Sequence, residues 1–318
     1  MTQTALVLGV TGGIGGAVAV RLLASGWRVR GLVRDPAARL HAGIEPRVGD
    51  AMRREGVLSA AAGADLVVHA VNPPGYRDWD RLVLPMIDNS IAAARANGAR
   101  VLLPGTVYNY GPEAFPLISE SAPQRPRTRK GAIRVELERR LRVAADSGEM
   151  RALVVRAGDF FGPGAANNWF GKALVTPGRR PVAVRQPGRR GIGHQWAYLP
   201  DVAETMVRLA EQDRLEPFET FHMDGHWDAD GTGMPNAIVR ALGDPTVPVK
   251  PLAWWMLRLA ALVAATPQEM MEMRYLWREP VRLDNCRLLA RLGSEPHTPL
   301  DEAVRTTLVA LDCVAGPR

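Results

Sequence analysis

The sequence predicts an α/β chain, a parallel sheet doubly wound by helices, with a smaller, mainly helical C-terminal lobe. Three observations carry this. Short apolar runs suited to strands buried on both faces recur at βα spacing through the first half. Helical patterns separate them, notably Leu82 to Asn97 and Ile133 to Ala145. From Ala253 onward the sequence turns helical and rich in Trp and Met.

The elements follow in order. Ala5 to Leu8 is a first strand, and Ala19 to Ala24 reads as a helix ending near Gly26. Arg28 to Val33 is a second strand, and Arg47 to Asp50 a third strand end. Ala64 to Ala70 is a fourth, Arg100 to Leu103 a fifth and Arg151 to Arg156 a sixth. Such alternation implies right-handed crossovers, with ligands at the carboxyl ends of the strands.

Composition narrows the class. With 47% hydrophobic and 23% charged residues the chain is neither a disordered tail, a collagen-like fibre nor a small disulfide scaffold. The formal charge of +7 raises nucleic acid as a partner. Lysine occurs only at Lys130, Lys172 and Lys250, the arginines are dispersed, and the group Arg179, Arg180, Arg185, Arg189, Arg190 has no aromatic platform. We therefore expect no nucleic-acid partner. Cys286 and Cys313 alone fit a reducing compartment, and no export signal opens the chain, so the expected location is cytoplasmic. Trp254 to Ala265 is the most membrane-like stretch, but it carries Arg258 and falls short of the ~20 residues a span needs. It is read as a buried helix of the second lobe, and no membrane partner is expected.

Between the first strand and its helix stands Gly9-Val-Thr-Gly12-Gly-Ile-Gly15. A strand turning sharply into a helix aims backbone N–H groups and the positive helix end at one place. Glycines at this spacing let a pyrophosphate approach that backbone. At the second strand end, Arg34 follows Val33, where a dinucleotide site for NAD usually has a carboxylate. An arginine there can fork onto a 2′-phosphate, which favours NADP(H) over NAD(H). Asp35 leaves the other register open. Expected cofactor contacts are Gly9, Thr11, Gly12, Gly13, Ile14, Gly15, Arg34, Asp50, Ala51, Ala70, Val71 and Asn72, with Asp50 at the adenine edge.

These residues resemble the extended short-chain dehydrogenase/reductase family, which includes nucleotide-sugar epimerases and dehydratases. The resemblance rests on Gly9/Gly12/Gly15, Asp50, Ala70-Val71, the Gly105 to Gly111 continuation of strand five, and Phe161-Gly162-Pro163-Gly164. It extends more loosely to Tyr198-Leu-Pro-Asp201, with Asp201 as an N-cap, to Tyr275-Leu-Trp, and to Leu292 to Leu308. It implies a Rossmann-type domain over 1–164 with a return segment 195–215, and a substrate-binding lobe of 165–194 and 216–318. It also implies a possible homodimer through a helix bundle that includes Ile133 to Ala145.

In that family a Ser or Thr polarises the substrate carbonyl and a Tyr-x-x-x-Lys pair supplies the acid and the ribose contact. The resemblance puts the hydroxyl at Thr106. It puts Lys130 and Arg134 in place of the pair, because no tyrosine lies between Gly111 and Arg151, and it makes Arg134 a further cofactor contact, at the ribose hydroxyls. An arginine does not share its proton. The proton donor is then Tyr108, or Lys130 with a pKa depressed by burial and Arg134, or the chain binds dinucleotide without hydride transfer.

On the substrate side, Asn167 and Asn168 can orient a polar group while Trp169 excludes water; His194 is a further candidate. His222, Asp224, His226, Asp228 and Asp230 crowd one loop without a second ligand cluster, and no metal is expected. The expected function is an NADP(H)-dependent oxidoreductase acting on a small carbonyl or alcohol. The alternatives are an epimerase or dehydratase using the hydride transiently, or a dinucleotide-sensing protein.

Overall fold

A computed structural model describes residues 2–73, 78–164 and 168–316. The first half alternates β1 (Thr4–Leu8), α1 (Gly13–Ala24), β2 (Arg28–Val33), β3 (Ile44–Val48), α2 (Arg54–Ala60), β4 (Leu66–His69), α3 (Trp79–Asn97) and β5 (Arg100–Gly105). The short β6 (Leu117–Ile118) precedes α4 (Arg129–Asp146), β7 (Arg151–Arg156) and β8 (Asp159–Phe161). Then come β9 (Val184–Gln186), β10 (His194–Tyr198), α5 (Leu199–Ala210), β11 (Phe218–His222), β12 (His226–Asp228) and α6 (Gly233–Leu242). The chain ends with β13 (Val249–Pro251), α7 (Trp254–Ala260), α8 (Ala265–Glu272), β14 (Arg282–Leu283), α9 (Cys286–Leu292) and α10 (Leu300–Ala310).

Among the described residues the central sheet has seven strands in the order β11-β7-β5-β4-β1-β2-β3, every pairing parallel. The order turns back on itself between β1 and β4, which opens a crevice at the carboxyl ends of those strands. Side chains alternate across the sheet. Leu6 and Leu8 join a core with Val57, Ile87 and Leu141 of α2, α3 and α4. Ala5 and Val7 face the other way, onto Val18, Leu22 and Val202 of α1 and α5. A third core gathers Phe161, Phe170, Trp196, Ile238, Trp277 and Leu308.

Three expectations change. Phe218 to His222, seen in the sequence mainly as a source of ligating side chains, is the seventh strand, in register with β7 from Ala152 to Arg156. Asp201 does not cap α5; it lies inside the first turn, and its carboxylate accepts from the Thr298 N–H at 2.8 Å and hydroxyl at 2.7 Å. The stretch from Trp254 is not a buried helix. It forms the two short helices α7 and α8, and α7 has no buried residue. Trp254, Leu257 and Ala260 are half-buried, while Trp255, Met256 and Leu259 stay outside. None of the described helices is long and apolar enough to cross a membrane.

Candidate active site

The turn from β1 into α1 is held together by the absence of side chains. Gly9 has φ +84°, and a Cβ there would lie 2.5 Å from the Ala70 carbonyl oxygen. A Cβ on Gly15 would lie 2.2 Å from the Gly9 carbonyl oxygen, so α1 closes directly on the turn. Gly12 differs, being exposed, with only the Gly9 oxygen at 3.3 Å from its hypothetical Cβ. The protein's own packing constrains this position less than Gly9 or Gly15, and its exposed backbone is open to a ligand. Gly12 caps α1 without a side-chain bond, and the first turn holds no carboxylate, so the helix end keeps its positive potential. Thr11 is exposed beside it, with Gly13 and Ile14 in the first turn.

The rest of the crevice follows from strand ends. Arg34 is exposed immediately after β2. Asp35 turns its carboxylate onto its own loop, accepting from the Ala37 N–H at 2.8 Å. Asp50 accepts from the Met52 N–H at 2.9 Å, and Ala51 is buried, its carbonyl held by Asn89 at 2.8 Å. Ala70 hydrogen-bonds back to Leu8, and Val71 and Asn72 continue across the mouth of the crevice. Asn72 Oδ1 accepts from Arg134 Nη2 at 2.8 Å, and the Arg134 guanidinium lies 5.1 Å from the Trp79 ring centre. These groups fit a dinucleotide: a backbone cradle, a cationic end on β2, and a buried arginine at the other end.

Beyond the crevice the end of β5 meets the start of α4. Thr106 donates to Asn109 Oδ1 at 3.2 Å, and the single turn Val107–Asn109 presents Tyr108. A Cβ on Gly131 would sit 2.2 Å from the Tyr108 carbonyl oxygen, so only glycine lets α4 begin here. Thr128 caps α4, accepting from the Gly131 N–H at 3.0 Å. Lys130 is thereby buried against Tyr108, its Nζ donating to Glu272 Oε2 at 2.8 Å and paired with Glu269 as well. Burial lowers its pKa from the ordinary lysine value, and the Glu272 contact opposes the shift. Burial is the expected cause; the expected second one, Arg134, is replaced by Glu272, which acts in the opposite direction.

Tyr108, Lys130, Asn168, Trp169, Lys172, Thr266, Glu269, Met270 and Met273 line one narrow cleft. Asn168 spends its amide on the loop, donating to the Phe160 carbonyl and accepting from the Gly171 N–H at 2.9 Å. Asn167 lies outside the described residues. Trp169 meets the Trp277 ring at 5.2 Å between centres, and His194 stacks on the other side of that ring system at 3.7 Å while bonding Asp159 at 2.8 Å. His194 therefore supports the wall of the cleft and does not line it.

Sequence reasoning missed Glu269, Glu272 and a buried network behind Thr106. Arg156, fully buried, binds Glu138 through Nη1 at 3.0 Å and Nη2 at 2.8 Å, and also donates to the Thr106 carbonyl. A signal was present: Lys130, Arg134 and Glu138 recur every four residues on one helix face. The crowded His/Asp loop disperses. His222 bonds Arg156, Asp224 pairs with Arg282, Asp228 accepts from the start of α6, and Asp230 binds Thr232. No group of three candidate ligands is found among the described residues.

Solved structures share this fold. UDP-glucose 4-epimerase from Thermus thermophilus, solved in complex with NAD, is 21% identical, with 97% of this chain and 99% of that chain aligned and a TM-score of 0.75. UDP-glucose 4-epimerase from Thermotoga maritima, solved with UDP-glucose, is 16% identical over 97% and 98%, with a TM-score of 0.76. UDP-N-acetylglucosamine 4-epimerase from Bacillus cereus is 15% identical over 100% and 99%, with a TM-score of 0.73. No curated protein sequence matches the chain. The NAD dependent epimerase/dehydratase family model matches residues 5–223, from β1 to the end of β11. Glycine turn, sheet order and family model converge: the chain belongs to the NAD dependent epimerase/dehydratase family and is an NAD(P)-dependent enzyme.

Proposed function

We propose that the chain is an NADP(H)-dependent oxidoreductase that moves hydride to a carbonyl carbon, or from a carbinol carbon, of a small molecule. The observation that carries this reading is the meeting of Tyr108 and Lys130 in one cleft, just beyond Thr106 at the end of β5. The bound nicotinamide supplies or accepts the hydride; the protein's task is to manage charge at the substrate oxygen. Thr106 offers its hydroxyl to that oxygen. Tyr108 donates the proton. Lys130 holds positive charge beside the phenol and favours the phenolate, while Glu269 and Glu272 fix the ammonium in place. Arg134 anchors the nicotinamide ribose side of the crevice through Asn72.

NADP(H) is supported by Arg34, exposed at the end of β2, and by Asp35, whose carboxylate is spent on its own turn. We expect Arg34→Ala to weaken NADPH binding by about 10- to 100-fold and to leave NADH binding unchanged in calorimetry. Equal affinities before and after substitution overturn the assignment. For catalysis, NADPH oxidation is followed against a panel of carbonyl compounds. Tyr108→Phe is expected to lower turnover by roughly 100-fold with NADPH affinity intact. A loss confined to Lys130→Met transfers the donor role to Lys130.

The family match favours a second reading, epimerisation or dehydration with the hydride returned to the same substrate. Product formed in step with NADPH consumed supports net reduction. Turnover of a nucleotide-sugar at constant cofactor absorbance supports the second reading instead.

A further inference from the structure

Five of the exposed large apolar side chains fall within nine consecutive residues: Trp255 at 67%, Met256 at 55%, Leu259 at 60%, Leu262 at 81% and Val263 at 89% exposed. Helical bonding continues past α7, with the N–H groups of Ala261, Leu262, Val263 and Ala264 accepted by carbonyls three or four residues earlier. At ~100° per residue the five side chains share an arc of about 120°, and Arg258 stands at its edge.

This surface is presented rigidly. On the opposite side of α7, the Trp254 indole N–H donates to the Pro187 carbonyl at 2.8 Å. The Trp254 ring lies 6.0 Å from Trp169, with the Arg274 guanidinium 5.0 Å from its centre. Such a patch on a monomeric protein marks an interaction surface.

Its charge selects the partner. Residues 245–268 contain no Asp or Glu. Arg274 is discouraged from ionising by burial and then by Arg278, Arg189 and Arg258, all of its own sign. A second copy pairing symmetrically through this face would set Arg258, at its edge, against its mate with no carboxylate in the segment to offset it. An anionic surface would neutralise it. Helices of this length lie in a bilayer interface and do not cross it.

We propose that α7 and the turn after it form a docking surface for an anionic lipid bilayer, with Trp255, Met256, Leu259, Leu262 and Val263 entering the interface and Arg258, at the edge of the face, meeting lipid phosphates. The sequence argument against a membrane rested on the length of a span, which surface docking does not need. Because Thr266, Glu269, Met270 and Met273 follow directly and line the narrow cleft, docking sets that cleft beside the lipid.

The test is flotation of the full chain with vesicles of phosphatidylcholine, with and without phosphatidylserine. Binding is expected only with phosphatidylserine, and is lost near 1 M salt, where the screening length falls to about 3 Å. Leu262→Ser with Val263→Ser is expected to lower partitioning by about tenfold or more. Arg258→Glu is expected to remove the preference for anionic vesicles, whereas Leu289→Ser, exposed on α9, leaves binding unchanged. Thermal midpoints of the variants show that the fold is retained. No binding to either vesicle, equal binding to both, or undiminished binding by the double variant overturns the proposal. So does a dimer in sedimentation equilibrium that the double variant converts to monomer, since the face would then serve a second copy.

Discussion

Along one face of α4 the protein buries two cation–carboxylate clusters, built from the same chemistry and separated by two helical turns. At the N-terminal end Lys130 is clasped by Glu269 and Glu272, whose side chains remain 23% and 27% exposed. The clasp borders the narrow cleft with Tyr108 on one side and a groove with Trp79 and Ile133 on the other. At the deeper end Glu138 receives both arms of Arg156 and the Gln124 amide at 3.1 Å, and Arg156 is completely enclosed. Burial of a charge therefore does not mark a reacting group. What separates the clusters is water: it can replace a lost partner around Lys130, and it cannot reach Arg156.

The comparison is broken or sharpened first at Glu138. Glu138→Ala leaves the Arg156 guanidinium buried without its counter-charge, and removing one member of such a pair costs about 3–5 kcal/mol. Urea unfolding should show that loss. A cost under ~1 kcal/mol would mean that water reaches Arg156 after all, and the distinction between the clusters would fall.

The sealed cluster also carries a pH signature. His222 lies between Arg156 Nε at 3.3 Å and the Tyr110 hydroxyl at 3.3 Å, with Nδ1 3.1 Å from the Ile118 carbonyl. Nδ1 therefore donates and Nε2 accepts, which is the neutral ring. Burial, and then the charge of Arg156, push its pKa down to about 3. In the unfolded chain the ring protonates near its ordinary 6.5. The stabilisation is thus complete above pH 6.5 and declines as pH falls toward 3, at about 1.4 kcal/mol per unit, or roughly 2 kcal/mol by pH 5. His69, likewise depressed to about 3 by burial and then by Arg134, adds a similar slope. Unfolding free energies at pH 7 and pH 5 for the wild type and His222→Gln check this. The variant should lose about one proton's worth of slope; an unchanged slope removes His222 from the account.

Which parts were legible in the sequence follows from the range of the interactions. The glycine turn is written in seven consecutive residues because each constraint is a local backbone contact, such as Gly15 against Gly9. Most of the predicted strands are apolar runs, and their alternation with helices implies the parallel, doubly wound sheet, though not the order of its strands. The clasp on Lys130 joins residues 142 apart, and the pairing of His222 with Arg156 spans 66. No local pattern carries those distances. The apolar stretch after Trp254 misled for the opposite reason: hydrophobicity reads as burial only when enough neighbouring surface exists to cover it. From Trp255 to Val263 the lobe covers one side of the helix and leaves Trp255, Met256, Leu259, Leu262 and Val263 exposed.

The smallest expected effect is the most discriminating. Lys130→Met keeps a side chain of similar length beside Tyr108 and removes the ammonium, leaving Glu269 and Glu272 partly hydrated. Lys130 itself is only 4% exposed, but its removal strands no fully buried charge, so unfolding free energy should shift by less than Glu138→Ala costs. The same substitution acts strongly on turnover if the positive charge tunes Tyr108. A large turnover loss with little stability loss is the signature of a charge kept for chemistry. If Lys130→Met instead costs as much stability as Glu138→Ala, both clusters are structural, and the lysine belongs to the scaffold that lets α4 start against Tyr108.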